Sequence, residues 1–273
     1  MKNKILASLF VMTFLVITNC QAQSKQLTNL GILDAVSGLN QSRATHRATL
    51  LESGKVLITG GFSDDRKSLS SSEIYNPKAE TFFWGGKMNI ARASHSSTLL
   101  TDGRVLIAGG YNGEYLDSAE IYDPKTADFT LVGKMTMPRS EHIAVLLTNG
   151  KVLLAGGVGT GWTFLADAEI FDPATNTFTK TESMTVARES HTATLLKDGT
   201  VLITGGHRGR RAAIEIYKSA EIYNPQTGNF SVAADLTVKR HKHDAVLLDD
   251  GRVLIVGGAD ERDLVGAYRD VEI

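Results

Sequence analysis

Short apolar runs separated by glycine-containing turns recur along the chain. In one such unit, an apolar, Thr-rich run from His95 to Leu100 is followed by Thr101-Asp102-Gly103, and a second run from Arg104 to Ala108 ends at Gly109-Gly110. An Asp-Gly pair supplies the positive φ that a tight hairpin requires. The consecutive apolar residues Val105, Leu106 and Ile107 predict a strand that is covered on both faces. The pattern therefore predicts a β-hairpin.

Two further strands complete the unit. After a loop of variable length, the segment Ala119-Glu120-Ile121-Tyr122-Asp123-Pro124 predicts a third strand, and its proline ends the strand because it has no N–H to continue a ladder. A turn at 125–128 leads into a fourth strand from Phe129 to Gly133. The unit is thus predicted to be a four-stranded antiparallel meander. Alone it would leave both faces bare, so it must stack against neighbouring units.

The unit occurs five times. A glycine pair ends the second strand of each copy, and the first glycines are 49, 47, 49 and 52 residues apart. The pairs are Gly60-Gly61, Gly109-Gly110, Gly156-Gly157, Gly205-Gly206 and Gly257-Gly258. A period near 50 built from short strands predicts a β-propeller with one blade per repeat. The repeats run over about 43–91, 92–138, 139–187, 188–239 and 240–273.

The order of these motifs resembles the kelch repeat. The first four units have Gly-Gly, then a segment such as Ala-Glu-Ile-Tyr-Asp-Pro, then Phe129 and Met135 or their equivalents. The fifth has the first part of this order, so the resemblance covers residues 43–273. It implies an all-β propeller of four-stranded antiparallel kelch blades. The kelch family includes galactose oxidase, sialic-acid mutarotases and many non-enzymatic binding proteins. The resemblance therefore implies a fold strongly and a function weakly.

The fifth repeat is incomplete. Val271-Glu272-Ile273 matches the start of a third strand, but no Tyr-Asp-Pro and no fourth strand follow. Either the segment from Leu27 to Leu39 supplies the missing outer strand, or the sequence is a fragment and further blades follow Ile273. We favour the fragment, because kelch-like propellers usually have six or seven blades.

In repeat four, two registers of the third strand are open, and we choose Glu221-Ile222-Tyr223 because Asn224-Pro225 follows it.

Residues 1–22 predict a secretory signal. Lys2 and Lys4 precede an apolar run from Ile5 to Ile17 that is too short to span a bilayer. Cys20, the only cysteine, resembles the lipid-attachment residue of a bacterial lipoprotein, although Asn19 departs from the usual small residue before it. The alternative is cleavage after Ala22, which leaves residues 23–42 as an N-terminal segment. Both versions predict an extracytoplasmic protein, either lipid-anchored or secreted into the periplasm or medium.

One arginine and one histidine recur ahead of each first strand, three residues apart. The arginines are Arg43, Arg92, Arg139, Arg188 and Arg240. The histidines are His46, His95, His142, His191 and His243. A zinc ring is disfavoured, because blade spacing separates equivalent residues whereas zinc needs ligands at about 2.0–2.1 Å from one ion. We expect each histidine to be hydrogen-bonded inside its own blade, since buried polar groups need partners.

The repeated arginines have a candidate structural partner in the third strand. One glutamate per repeat lies there, namely Glu73, Glu120, Glu169, Glu221 and Glu272. A charge near the core needs pairing, which favours an ion pair in every blade. The functional alternative is a crown of arginines at the mouth of the channel that grips an anion.

The differences between repeats concentrate on one face. A meander places the Asp-Gly turns and the turns after proline on one side, the turn face, and the loops after Gly-Gly and the inter-blade links on the other, the loop face. Loops on a rigid scaffold are where recognition concentrates. The candidate ligand-binding residues on the loop face are Tyr111, Tyr115, Trp162, Phe164, His207, Arg208, Arg210 and Arg211.

These observations favour a binding scaffold that recognises a protein or a glycan. With Lys+Arg 29 against Asp+Glu 30, the net charge of -1 predicts no nucleic-acid partner. No serine-triad motif, zinc motif or phosphate loop is present. Copper radical oxidases of this fold need a tyrosine cross-linked to a cysteine. The repeats contain no cysteine, so we expect no cofactor. The alternative is a sugar-processing enzyme such as a mutarotase, with Glu114, His207 or Glu261 as acid or base.

Overall fold

The computed structural model describes residues 37–262 and 266–273, which fold into five antiparallel sheets, the blades of a β-propeller. Blade 1 consists of β1 (Arg47–Leu50), β2 (Val56–Thr59), β3 (Ser71–Asn76) and β4 (Thr81–Lys87). Blade 2 consists of β5 (Ser96–Leu99), β6 (Val105–Ala108), β7 (Ala119–Asp123) and β8 (Asp128–Leu131). Each of these sheets keeps its strands in chain order.

Blades 3 and 4 each carry an extra two-stranded ribbon. Blade 3 contains β9 (Ile143–Leu146), β10 (Val152–Ala155), β13 (Ala168–Asp172) and β14 (Thr177–Lys180), and its ribbon pairs β11 (Val158–Gly159) with β12 (Thr163–Phe164). Blade 4 contains β15 (Thr192–Leu195), β16 (Val201–Thr204), β19 (Ala220–Asn224) and β20 (Asn229–Ala233), and its ribbon pairs β17 (His207–Arg208) with β18 (Glu215–Ile216). Short 3-10 turns, Thr160–Trp162 and Arg211–Ala213, cap the two ribbons. The ribbons belong to the variable loops after Gly-Gly.

Blade 5 has three strands in the described residues, β21 (Asp244–Leu247), β22 (Val253–Val256) and β23 (Val271–Glu272). The predicted all-β propeller with an incomplete last blade is therefore confirmed. The register chosen for repeat four is also correct, since Glu221 pairs with Ile203 across β16 and β19. The signal, Cys20 and residues 27–36 of the candidate closing strand lie outside the described residues. Within those that are described, no helix has the length and apolar character needed to cross a membrane.

The blades stack through apolar cores. Between blades 2 and 3, for example, Leu106 and Ile121 of one blade pack with Val152, Leu154 and Phe171 of the next. Comparable clusters join blades 1 and 2 and blades 3 and 4. Each Å² of apolar surface buried at these junctions contributes about 25–30 cal/mol, so a blade depends on its neighbours for part of its stability.

The glycine pairs allow close approach of consecutive blades. Gly109 has φ +64, and a Cβ on it would lie 2.4 Å from the Arg139 carbonyl oxygen and 2.8 Å from the ring of His142. The N–H of Gly110 donates to that same carbonyl at 2.8 Å. The junctions after Gly60, Gly156 and Gly205 repeat this arrangement. A side chain at the first glycine would hold the next blade away.

Among the described residues, blade 5 and blade 1 each have one face with little packing against another blade. The first strands contact one another in chain order from β1 to β21, and among the described residues no contact of that extent joins β21 to β1. Leu50 is 64% exposed, although its equivalent Leu99 packs against the preceding blade. A Cβ added to Gly257 would have the Tyr268 carbonyl oxygen as its nearest neighbour, at 3.8 Å. Within residues 37–262 and 266–273, these two faces therefore have less packing than the four junctions between consecutive blades.

Candidate functional site

The repeated arginines form ion pairs with the glutamates that the sequence names as their partners. In blade 2, Nη2 of Arg92 lies 2.9 Å from Oε1 of Glu120, with both side chains fully buried. Glu120 also accepts bonds from the backbone N–H groups of Asn89 and Ile90. The corresponding pairs are Arg43–Glu73, Arg139–Glu169, Arg188–Glu221 and Arg240–Glu272. Each pair ties the inter-blade link to the third strand of the blade that it enters.

The expectation that each histidine bonds within its own blade holds for His46, whose Nδ1 lies 3.2 Å from the carbonyl oxygen of Arg43, but it is wrong for His95, His142 and His243. Nε2 of His95 lies 2.8 Å from Oγ1 of Thr59, and Nε2 of His142 lies 2.9 Å from Oγ of Ser96. Both hydroxyls belong to the preceding blade. The reason is that the ring reaches back toward the glycine pair of that blade. These histidines therefore contribute to stacking rather than to a blade's own sheet.

The aromatic candidates of the loop face come together in a row. The rings of Tyr111 and Tyr115 lie 5.3 Å apart, and that of Tyr115 lies 5.9 Å from Trp162 in an edge-on arrangement. The guanidinium of Arg210 stacks over Trp162 at 3.8 Å from the ring centroid. Phe164 lies 6.0 Å from His207. Loops of blades 2, 3 and 4 thus contribute to one continuous surface.

One basic candidate, Arg208, lies outside the cavity. Arg208 is exposed and forms an ion pair with Glu215 across its ribbon, at 2.7 Å between Nε and Oε2. It does not line the cavity that Arg210 lines. Arg211 begins the 3-10 turn Arg211–Ala213. The basic cluster of the sequence is therefore divided, and Arg210 is the member placed at the site.

A cavity of about 870 Å³ opens on the loop face and is lined by residues of blades 3, 4 and 5. Its lining includes Trp162, Glu189, His207, Arg210, His241 and Lys242. Glu189, His207 and His241 are buried at its floor, whereas Trp162 is 56% exposed at its rim. Aromatic, basic and acidic groups thus converge on one concave surface, as is typical of ligand sites.

Glu189 and His207 occupy scaffold positions that blades 1 to 3 fill with uncharged residues. The two residues are backbone bridge partners, and the equivalent bridges pair Ala44 with Phe62, Ala93 with Tyr111, and Ser140 with Val158. In blade 5 the bridge joins His241 to Ala259. Three titratable side chains therefore replace scaffold residues in two consecutive blades. The scaffold of blades 1 to 3 forms without charge here, so folding alone does not require it.

The electrostatics of this floor are unusual. Oε1 of Glu189 lies 3.4 Å from Nε2 of His207 and 3.5 Å from Nη2 of Arg210, and its Oε2 atom is buried without a hydrogen-bond partner. Burial raises the pKa of Glu189 above its ordinary value, against the lowering effect of Arg210. Burial, helped by the neighbouring His241, lowers the pKa of His207 to about 4. A carboxyl that gains protons readily therefore faces a neutral imidazole.

The sequence pattern did not identify Glu189 as a candidate, because it lies inside a repeated motif, directly after the structural Arg188. The signal that identifies it is the substitution of a charged residue for Ala or Ser at that repeat position.

Of the other acid or base candidates, Glu114 is exposed, and Glu261 is exposed and paired with Lys239 at 3.1 Å. Across the described parts of the chain, no group of three or more His, Cys, Asp or Glu side chains is arranged to hold a metal ion.

Comparisons with known proteins agree with this architecture. The family model of the KLHDC2/KLHL20/DRC7 Kelch-repeats domain matches residues 24–206. A solved structure described as the structure of YjhT is similar with a TM-score of 0.69 at 15% sequence identity, over 87% of this chain and 83% of that chain. No curated protein sequence matches. Because the family model covers more than half of the chain, the protein belongs to the kelch-repeat family.

Proposed function

We propose that this kelch propeller is an extracytoplasmic binding protein that captures a glycan in the loop-face cavity lined by blades 3, 4 and 5. The observation that carries the proposal is the placement of Glu189 and His207 on the cavity floor, at positions where blades 1 to 3 hold uncharged residues. Titratable polar groups at such a buried place cost stability without aiding the fold. Its presence is explained by a ligand that bonds to it.

The chemistry of the cavity suits a polyhydroxylated ligand. Oε2 of Glu189 offers an unused acceptor, or a donor when the carboxyl is protonated, and Arg210 offers donors at the rim. Tyr115 and Trp162 form an aromatic wall beside these groups. A sugar presents hydroxyl groups that both donate and accept, together with apolar C–H faces. Such a ligand can satisfy the floor and the wall at once.

The extracytoplasmic location rests on the sequence alone. Two lysines, a short apolar run and a following small or polar region favour export of the domain, and Cys20 favours a lipid anchor. Radiolabelled palmitate in cells that express the full chain, compared with a Cys20→Ser variant, tests the anchor. Fractionation of the same cells tests export.

A glycan array followed by calorimetry tests the proposed function. We expect Arg210→Ala to weaken binding of an array hit by about tenfold or more, because it removes a charged hydrogen-bond donor of the cavity. The matched control is Arg208→Ala, whose side chain is exposed and paired with Glu215 outside the cavity. Equal effects of the two substitutions, or a protein captured in place of any glycan, would contradict the proposal.

The Glu189–His207 pair supports a second candidate, a sugar-processing enzyme such as a mutarotase. A carboxyl with a raised pKa beside a neutral imidazole is a combination that acid–base chemistry uses. NMR exchange spectroscopy on reducing sugars would detect accelerated interconversion of anomers. Glu189→Gln should then abolish turnover and leave the sugar bound, whereas a pure binding protein would show no acceleration with either form.

A further inference from the structure

A second cavity lies on the turn face, at the outer edge of the junction between blades 1 and 2. Its volume is about 560 Å³, and its floor is formed by the buried side chains of Leu51, Ile74 and Tyr122. Phe83 and Trp84 of strand β4 form one wall, at 41% and 57% exposure. This cavity lies opposite the loop face and shares no residue with the site described above.

The two aromatic residues are peculiar to blade 1. Phe83 pairs with Ile74 in the strand register, and the equivalent residues of blades 2, 3 and 4 are Thr130, Thr179 and Ser231. Trp84 pairs with Glu73, and its equivalents are Leu131, Lys180 and Val232. The scaffold therefore forms without aromatic residues at either position. Adjacent exposed aromatic side chains beside a cavity mark interaction sites.

A comparison within the molecule supports this distinction. The corresponding cavity between blades 3 and 4 has a volume of about 390 Å³ and is lined by polar turn residues such as Asn149, Thr200 and Gln226. The larger, aromatic cavity is thus a property of the first junction rather than of the repeat.

The charges around the cavity indicate what it accepts. Three carboxylates, of Glu52, Asp102 and Asp123, face three cations, of Lys55, Arg104 and Lys125, so the lining has no net charge. That balance favours neither an acidic nor a basic partner. It does offer charged hydrogen-bond acceptors and donors in equal number.

Several of these groups are already engaged. Arg104 is held by Asp102 at 2.7 Å, and the ammonium of Lys55 lies 5.2 Å from the centre of the Phe83 ring. Among the described residues, no ion pair forms with Glu52, whose carboxylate lies against Gly103. The exposed ring of Trp84 and the carboxylate of Glu52 are therefore free to contact a ligand.

We propose that this cavity is a second carbohydrate site, which holds one neutral pyranose ring. The apolar C–H face of the ring stacks on Trp84, and its hydroxyl groups bond to Glu52 and to the ammonium of Lys125. An uncharged ligand with one apolar face and a polar edge matches a neutral lining with an aromatic wall. This site is independent of the loop-face site, so the protein binds glycans on two opposite faces.

The two tryptophans of the chain make the sites separately observable. Trp84 and Trp162 are the only ones, and each lies at a different site. In Trp162→Phe, Trp84 is the sole tryptophan and reports on the turn face. In Trp84→Phe, Trp162 reports on the loop face. A failure of one proposal is thus distinguishable from a failure of the other.

The experiment titrates Trp162→Phe with methyl glycosides of glucose, galactose, mannose, xylose and N-acetylglucosamine. We expect a saturable change in emission with at least one of them, retained when Arg210→Ala is added. We expect about tenfold weaker sugar binding from Phe83→Thr, which installs the residue of blades 2 and 3, and from Glu52→Gln. Val232→Thr, an exposed control on blade 4, should leave sugar binding unchanged. An unchanged emission at millimolar sugar in a variant that unfolds at the wild-type temperature would overturn the proposal, as would binding of a peptide there instead.

Discussion

Nε2 of His95 lies 2.8 Å from Oγ1 of Thr59, a contact that joins blade 2 to blade 1. His191 occupies the same position in blade 4. The positions in blade 3 that correspond to Ser96 and Thr59 are Ile143 and Ala155, which have no hydroxyl group. Neither ring nitrogen of His191 has a side-chain hydrogen-bond partner, although the residue is buried. The junction between blades 3 and 4 therefore lacks the side-chain hydrogen bond that His95, His142 and His243 make at the other junctions.

Ala155→Thr should stabilise the protein. It places at blade 3 the residue that Thr59 and Thr204 provide at blades 1 and 4, and an added hydrogen bond contributes about 1 kcal/mol. Urea unfolding measures the change. The matched control is Ala108→Thr, because His142 already bonds to Ser96. A free energy of unfolding that falls equally in both variants would show that steric crowding outweighs the new bond.

Stability should fall as the pH falls below about 6.5. Burial lowers the pKa of His191 to about 3 and that of His243 to about 4, whereas an unfolded histidine titrates near 6.5. Between those values the unfolded state binds more protons, so the free energy of unfolding decreases toward acid. Each histidine contributes a slope of up to about 1.4 kcal/mol per pH unit. His191→Gln should reduce the slope measured by urea unfolding from pH 6.5 to 4. An unchanged slope would mean that His191 titrates alike in both states.

Gly109→Ala should be far more damaging than Gly257→Ala. Both glycines have positive φ, +64 and +67, so both substitutions carry the conformational cost of about 1 kcal/mol. At Gly109 the added Cβ also meets the Arg139 carbonyl oxygen at 2.4 Å and the His142 ring at 2.8 Å. Separation of blades 2 and 3 should lower the free energy of unfolding by several kcal/mol more. Similar thermal unfolding of the two variants would mean that the junctions of blade 2 and blade 5 are equally packed.

The repeat explains why the fold could be predicted from the sequence. Gly109-Gly110, the Asp-Gly turn and Pro124 each fix a local backbone feature. This order recurs at a period near 50, completely in four repeats and partly in the fifth, and such a period is typical of a β-propeller. The pairing of Arg92 with Glu120 also followed from their common period. The direction of the histidines did not, because Thr59 and His95 are partners across a junction, and periodicity does not reveal which neighbour a ring faces.

The candidate site was only partly predictable, because contacts between residues that are distant in the sequence do not follow from the repeat period. Trp162 and Arg210 lie in variable loops, where a search for function begins. Glu189 lies within a repeated motif, and its importance depends on its bridge to His207, which only the strand arrangement reveals. Phe83 and Trp84 were likewise hidden within a repeated strand. In a repeat protein, a departure from the repeat at a structural position is as informative as a variable loop.

Arg92→Leu should destabilise the protein by about 3–5 kcal/mol, because it leaves Glu120 buried without its ion-pair partner. The exposed control is Arg252→Leu, which removes a surface pair with Asp250 and should cost about 1 kcal/mol or less. The double variant Arg92→Leu with Glu120→Leu removes both charges and should recover part of the loss. Urea unfolding of the wild type, Arg92→Leu, Glu120→Leu and the double variant gives the coupling energy between the two sites. Additive losses would show that Arg92 acts mainly through its bonds to the carbonyl oxygens of Gly109 and Ser118 rather than through the glutamate.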